Sequence, residues 1–432
     1  MAKLKSGFLI CLVIMSIILA IHLMLGQPLP PLPPQHEEVW FGPEPGLHEV
    51  SLPGRIYLIS AGEVLLVETF SRMYNDLVVT LGQIEYETGG VGDAWAPGEY
   101  IEDDFPPGVL FRYDYPLSRE LLASWWALFY ETDFPFAAVD SIFVPLDQGP
   151  VRFINSSARE VWLLQASLTW DVFARAVSEP KDVISYCWVP MESGKNYTAA
   201  SGVFQLEESE VLVVPDWVKE EINNTSLIRS FYLKPSLIKE SDGTEIYTDG
   251  VQALRLYPSG ALEYTVVNSQ ANPGSPGQGA WVKTAVNFVT AHGGWPENML
   301  PTYLSIIPSE QGRLEFARYG LGFPIIGQAG IAVEMDGAAV CFYSRDMVWI
   351  RPESVAGYAE IKPLSTLLSN PSTQAAQFFS AQEAEITDLA LAYFWQQERM
   401  VPVWRVWVGQ QVICVGAVDG RILNVRTRSG GD

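Results

Sequence analysis

The first pattern along the chain is a run without charge. From Gly7 to Leu25 the only polar side chains are Ser16 and His22. A helix of these nineteen residues, at about 1.5 Å each, spans roughly 28 Å, close to the ~30 Å hydrocarbon core of a bilayer. Lys3 and Lys5 precede the run, and no Lys or Arg follows until Arg55. The positive-inside rule therefore keeps residues 1–6 cytoplasmic and exports the rest. Leu23, Met24 and Leu25 close the run without a small-residue cleavage pattern, and Cys11 lies inside the run rather than after it. Both features favour a retained single-pass transmembrane helix over residues 7–25, not a cleaved signal or a lipoprotein. Residues 26–46 form a linker, with Gln27-Pro-Leu-Pro-Pro-Leu-Pro-Pro34 as a polyproline spacer.

Beyond the linker the periodicity changes repeatedly. Strand-like runs at Arg55–Ser60, Glu63–Val67, Gly108–Tyr113 and Ser141–Pro145 alternate with helical spacing over Glu68–Gly82 and Leu117–Tyr130. This predicts an N-terminal α+β domain over residues 47–158, with an exposed loop over Gly89–Pro107. A middle α+β domain, 159–275, has a weakly amphipathic helix over Trp217–Phe231. Its strands Thr244–Thr248, Ala253–Tyr257 and Leu262–Val267 are punctuated by Asp242-Gly243 and Ser259-Gly260. The breaker cluster Asn272–Gly279 opens the last domain, 276–432. Within it, helix, strand, x-Pro strand and Asp-Gly hairpin occur twice. The first set runs from Ala280 to Tyr343 with its turn at Asp336-Gly337, the second from Pro363 to Val425 with its turn at Asp419-Gly420. That echo predicts an internal duplication. The fold class is α+β: an N-terminal transmembrane helix followed by three exported domains of antiparallel sheet packed with helices.

Composition narrows the function classes. The formal net charge is −23, with 48% hydrophobic residues and 14 Trp. Core material is ample, and an acidic exported body is repelled by nucleic acid and by anionic headgroups. No nucleic-acid partner is expected. Cys187, Cys341 and Cys414 form neither a CxxC nor a metal-ligand spacing, and Cys341 and Cys414 sit in apolar strands, so they read as buried free thiols.

Catalytic patterns are absent or incomplete. Ser236-Leu-Ile-Lys239 is an S-x-x-K, with Ser241-Asp242-Gly243 and Lys283-Thr284-Ala285 in the order of a penicillin-recognising site. Ser241, however, lies only two residues past Lys239, and the second and third motifs lack their final residue. Ser236 reads instead as the start of a turn and Lys239 as a solvated charge. His22, His36, His48 and His292 have no partner at i+3 or i+4, which predicts no metal site. His292 reads as a helix C-terminal residue favoured by the dipole. Carboxylates at Glu102-Asp103-Asp104, Glu207-Glu208 and Glu220-Glu221 read as solvated charge. Trp295, Trp349, Trp395 and Trp407 read as core rather than as a sugar platform. No catalytic residue, metal or cofactor is expected.

The stretch Phe231–Ile238, the turn Asp242-Gly243, then Ile246-Tyr247-Thr248-Asp249-Gly250 and Leu254, ending in Glu263-Tyr264, resembles the YycH/YycI family. Val401–Val406 and Ala417–Gly420 resemble that group's PepSY-like ends. These proteins are membrane-anchored accessory regulators of the WalK (YycG) sensor kinase in Gram-positive bacteria. The extra first domain makes YycH the nearer sibling. The resemblance implies a non-enzymatic extracytoplasmic regulator of a sensor histidine kinase controlling cell-wall metabolism. It places the chain in the cell membrane, its N-terminus cytoplasmic and its domains outside. The implied partners are the kinase's transmembrane region and, as a working unit, a homodimer or a heterodimer with a YycI-like sibling. Gly7, Ser16 and Ala20 are the candidate sites of close helix approach in lipid. Tyr247, Thr248, Asp249, Gly250, Glu263 and Tyr264 carry the family-like structural motif. Two alternatives remain: a PepSY-type exported module that grips a protein or inhibits a protease, and an extracellular cell-wall hydrolase.

Overall fold

The computed structural model describes residues 39–60, 63–86, 95–98, 105–126, 137–156, 158–189, 197–199, 203–206, 208–231, 235–266, 277–307, 311–346, 348–381, 384–409 and 411–427. The apolar run 7–25, with Gly7, Ser16 and Ala20, and the proline spacer lie outside these residues. Among the described residues no helix is long and apolar enough to cross a membrane.

Helix α1 (Leu47–Val50) leads into β1 (Arg55–Ser60), β2 (Glu63–Val67) and helix α2 (Arg72–Gly82). Next come β3 (Glu85–Tyr86), β4 (Trp95–Gly98), β5 (Gly108–Ser118) and helix α3 (Arg119–Ala123). Strands β6 (Ala138–Pro145), β7 (Val151–Asn155), β8 (Glu160–Leu164) and β9 (Ala166–Ser167) precede helix α4 (Trp170–Ser178). After it run β10 (Val183–Val189), β11 (Tyr197–Ala199), β12 (Val203–Leu206), β13 (Glu210–Lys219) and helix α5 (Asn224–Phe231). A meander of β14 (Ser236–Lys239), β15 (Glu245–Thr248), β16 (Gln252–Leu256) and β17 (Leu262–Val266) ends at helix α6 (Gln278–Ala291). Strands β18 (Met299–Ile307), β19 (Gln311–Gly320), β20 (Phe323–Gly327), β21 (Gly330–Asp336), β22 (Ala339–Asp346) and β23 (Val348–Ile361) follow. Helices α7 (Leu364–Ser369) and α8 (Gln374–Ala381) precede β24 (Ala384–Gln396), β25 (Arg399–Val408), β26 (Gln411–Gly416) and β27 (Ile422–Thr427).

Strands β1 and β2 are nearly all apolar because both faces of their sheet are covered. Ile56 and Leu58 join a core with Tyr74, Leu77 and Leu81 of α2, whereas Tyr57 and Ile59 join a core shared with Ile325, Tyr393 and Trp404. That sheet has nine strands in the order β12-β10-β2-β1-β5-β6-β7-β8-β4. Helix α2 starts where Ser71 caps it, the Ser71 hydroxyl accepting from the Tyr74 N–H at 3.1 Å. A second sheet of fourteen strands runs β14-β15-β16-β17-β22-β21-β19-β20-β24-β25-β26-β27, with β18 on β19 and β11 on β24. Strand β10, from beyond residue 159, pairs with β2, and β17 pairs with β22 across residues 275–276. A separate two-stranded ribbon joins β13 to β23.

The expected echo corresponds to two helix-and-meander units, or copies. One helix, α6, precedes an antiparallel meander of β18, β19, β20–β21 and β22. Helices α7 and α8 precede the meander β24-β25-β26-β27. In each, the Asp-Gly turn joins the third and fourth strands. The prolines do not correspond: Pro324 sits on the third strand of the first copy and Pro402 on the second strand of the other. The two copies meet where β20 and β24 run parallel, with Ile325 opposite Tyr393.

Four local expectations are corrected. The expected loop 89–107 contains strand β4, which pairs with β8 at the sheet's edge, where Pro97 is tolerated. The expected helix 217–231 begins only at Asn224. Trp217 belongs to β13, held there by pairing with β23 and by edge-to-face contact with Trp395 at 4.4 Å. The expected helix 117–130 is short in its described part, Arg119–Ala123, because Leu117 and Ser118 still pair with β6. Ser236 is in strand β14, not a turn.

Trp281 of α6 lies over Gly312 of β19, where a Cβ would come within 2.0 Å of the indole. Gly312→Ala is therefore expected to cost about 1–3 kcal/mol as an overpacked core. Urea unfolding checks it, and a companion Trp281→Leu change should restore part of the loss.

Candidate functional site

The family-like motif forms the hairpin between β15 and β16. Gly250 adopts φ +92°, a region that favours glycine. The Asp249 Oδ1 accepts from the N–H groups of Val251 and Gln252 at 2.9 and 3.0 Å, and Oδ2 accepts from the Gln252 side chain at 3.0 Å. Desolvation would raise the Asp249 carboxyl, but these bonds offset it and hold it below the usual carboxylate range. Thr248 Oγ1 donates to the Gln252 carbonyl at 2.6 Å and accepts from Gly250 N–H at 3.0 Å. The Tyr264 hydroxyl donates to Gln252 Oε1 at 2.5 Å, while Glu263 accepts from Tyr257 at 2.6 Å. Tyr247, Leu254, Tyr264 and Tyr343 stand opposite one another across β15, β16, β17 and β22. Every polar group of the motif is used in building the turn and the sheet.

The other nominated residues do not assemble. Lys239 pairs with Glu245 at 2.7 Å, Asp242 accepts from Thr244 N–H at 2.9 Å, and Lys283 is on the exposed side of α6. Cys187, Cys341 and Cys414 are not joined in disulfides, the first two being half-buried and the third buried. Among the described residues no group of His, Cys, Asp and Glu could hold a metal. Glu220, expected as solvated charge, is instead the two-pronged partner of buried Arg345, with both bonds at 2.8 Å. Trp295, Trp349, Trp395 and Trp407 each face a protein partner: Phe316, Arg318, Trp217 and the pair Arg55 and Arg405. His292 ends α6, its Nδ1 at 2.8 Å from the Phe288 carbonyl and its ring between Phe231 and Phe288. Burial pushes its pKa below 6.5, so the neutral ring occupies the helix end despite the dipole. Residues 102–104, Glu207, His22 and His36 lie outside the described residues.

A site that the sequence reading missed lies where the two sheets meet. Arg55 of β1 donates from Nη2 to Asp114 of β5 at 3.1 Å and to Asp388 of β24 at 2.7 Å. Its Nη1 reaches the other Asp388 oxygen at 3.1 Å and the Leu389 carbonyl at 3.0 Å. Arg405 of β25 donates to the second Asp114 oxygen at 2.8 Å and to the Thr302 carbonyl at 3.2 Å. Arg112 approaches Asp388 at 3.4 Å. The Trp407 ring lies beneath both Arg55 and Arg405, at 5.4 and 4.6 Å. Side chains of Arg55, Asp114 and Arg405 are at most 8% exposed. Burial would raise the Asp388 carboxyl, yet Arg112 and Arg55 outweigh it and hold it below the ordinary range. With both carboxylates fully engaged, the cluster is a clamp between sheets, without a free base or nucleophile. One signal was legible: Arg112, Asp114 and Arg405 are charges in the interior of mostly apolar strands.

A crystal structure of YycH from Bacillus subtilis superposes with a TM-score of 0.66 at 14% sequence identity, covering 87% of this chain and 98% of that one. The chain has the YycH fold. A structure of an uncharacterized protein from Eubacterium rectale covers 56% of this chain and 94% of its own at 11% identity, but its TM-score of 0.30 carries no argument. No family model and no curated protein sequence matches.

Two outcomes are expected. Asp114→Ala removes the carboxylate partner of Arg405 and one of Arg55's four hydrogen bonds and should cost about 3–5 kcal/mol, as breaking buried pairs does. Urea unfolding measures it, with the exposed pair partner Arg421→Ala as an unchanged control. For His292 the folded pKa lies below the unfolded one, so the unfolded chain takes the proton first as pH falls. Stability should be held above about pH 6.5 and decline below it, and His292→Gln should flatten that part of the profile.

Proposed function

We propose that this chain is a non-enzymatic, single-pass membrane protein whose extracytoplasmic body regulates a sensor histidine kinase controlling cell-wall metabolism. The YycH fold over 87% of the chain carries the reading. The uncharged run Gly7–Leu25 with Lys3 and Lys5 before it, and the proline spacer after it, supply the anchor and orientation. In this reading the anchor packs against the kinase's transmembrane helices, with Ser16 and Ala20 on one contact stripe and Gly7 on the opposite face of the helix. The working unit is a homodimer or a heterodimer with a YycI-like sibling. A kinase with two conformations needs only a few kcal/mol of differential contact to change its population. An exported body of rigid, interlocked sheets suits that task better than bond-making chemistry.

Photo-crosslinkers placed singly along residues 7–25 in native membranes test it. Products with a histidine kinase should recur with a helical period and include positions 16 and 20. Labelling of lipid alone, together with unchanged target-gene output on deletion, would sink the proposal.

A further inference from the structure

The two helix-meander copies turn different faces toward each other and toward their helices. On β24, Leu389, Leu391, Tyr393 and Trp395 share a core with Leu364 and Phe379 of α7 and α8. Strand alternation therefore turns Ala390, Ala392 and Phe394 the other way. On β19, Leu314 and Phe316 pack with Trp281 and Val286 of α6, which turns Arg313, Glu315 and Ala317 inward. Several of the facing positions are small: Ala317, Ala332 and Ser344 from the first copy, Cys414 from the second. Such side chains leave the space between the copies unfilled, and a cavity of about 480 Å³ results. That is within the usual range for small-molecule sites, roughly 300–1,000 Å³.

The wall chemistry selects a ligand class. Ile326, Phe394 and Val412 supply an apolar flank. At the rim, Glu315 lies between two arginines: Oε1 accepts from Arg313 Nε at 2.8 Å and Oε2 from Arg426 Nη1 at 2.5 Å. Both carboxylate oxygens are engaged, so an incoming cation would find no free acceptor there. Arg426 is 47% exposed and makes that one ion pair, which leaves most of its five donors available. The rim therefore offers donors to an anion, and a guanidinium matches a carboxylate in two-pronged geometry.

We propose that this cavity binds an apolar molecule ending in a carboxylate. The head sits on Arg426, and the body lies against Ile326, Phe394 and Val412. A ligand held there touches both copies of the duplication at once and so stabilises one relative placement of them. The inference is independent of the kinase reading. Two sources share this chemistry: an acyl chain and the C-terminal end of an apolar peptide.

Calorimetric titration of the full chain in lipid nanodiscs, with empty nanodiscs as blank, tests it. Decanoate represents the acyl source, N-acetyl-leucyl-leucine the peptide source, and decylammonium the opposite charge. At least one acid should bind saturably at one per chain. Arg426→Gln should weaken it about tenfold, as loss of a charged hydrogen bond does, and Arg426→Lys should recover part. Ser344→Leu, which fills the space, should abolish binding. Should Ser344→Leu fail to fold, the half-exposed Arg426→Gln decides alone. No saturable heat above the blank, equal binding of decylammonium, or an affinity indifferent to Arg426→Gln would overturn the proposal.

Discussion

Asp114 is the atom-scale hinge of the whole arrangement. One of its oxygens takes Arg55 from its own sheet and the other takes Arg405 from the opposite one, at 3.1 and 2.8 Å. Taking such charges out of water is costly, and only complete pairing offsets that cost. An apolar seam would tolerate small shifts of one sheet over the other. This seam does not, because a displacement of an ångström leaves a buried guanidinium short of its carboxylate. The cluster thus fixes placement more than it adds stability. Asp388, Arg112 and the Trp407 ring beneath the two arginines complete it.

Much of the fold could be read from the sequence because it depends on near neighbours. Strands β1 and β2, the Asp-Gly hairpins and helix α6 all follow from local alternation, turn residues and helical spacing. The Tyr247–Gly250 motif also declares itself locally, since Asp249, Thr248 and Gln252 bond within five residues. What escaped was decided at a distance. Trp217 sits in a helix-compatible stretch but is claimed by β23 and Trp395. Pro97 reads as a breaker until β8 gives it an edge to join. Glu220 reads as surface charge until Arg345, in a strand more than a hundred residues on, takes both its oxygens. The sheet junction is the extreme case: nothing next to Arg55 in sequence announces Asp388.

The duplication gives the seam its context. Each copy covers one face with its own helices and presents the other inward, so each needs an outside partner for the second face. The copies solve this jointly through the parallel contact of β20 and β24 and through ion pairs such as Arg426 with Glu315. The N-terminal sheet then closes over the join, sharing one core with both α7–α8 and β24–β26. A body built this way moves as a unit, because its parts have few independent ways to move.

The separation between Arg55 and Asp388 is 333 residues. A chain made from its N-terminus delivers β1 first and β24 almost last. Until then Arg55, Arg112 and Asp114 wait with an open sheet face and an incomplete set of counter-charges. Closing so long a loop carries an entropic cost, which falls only as the strands in between form and shorten the effective loop. Completion of the cluster is consequently ordered by arrival: Arg55 waits for Asp388 and Asp114 for Arg405, and chains that stop short of residue 405 leave it incomplete.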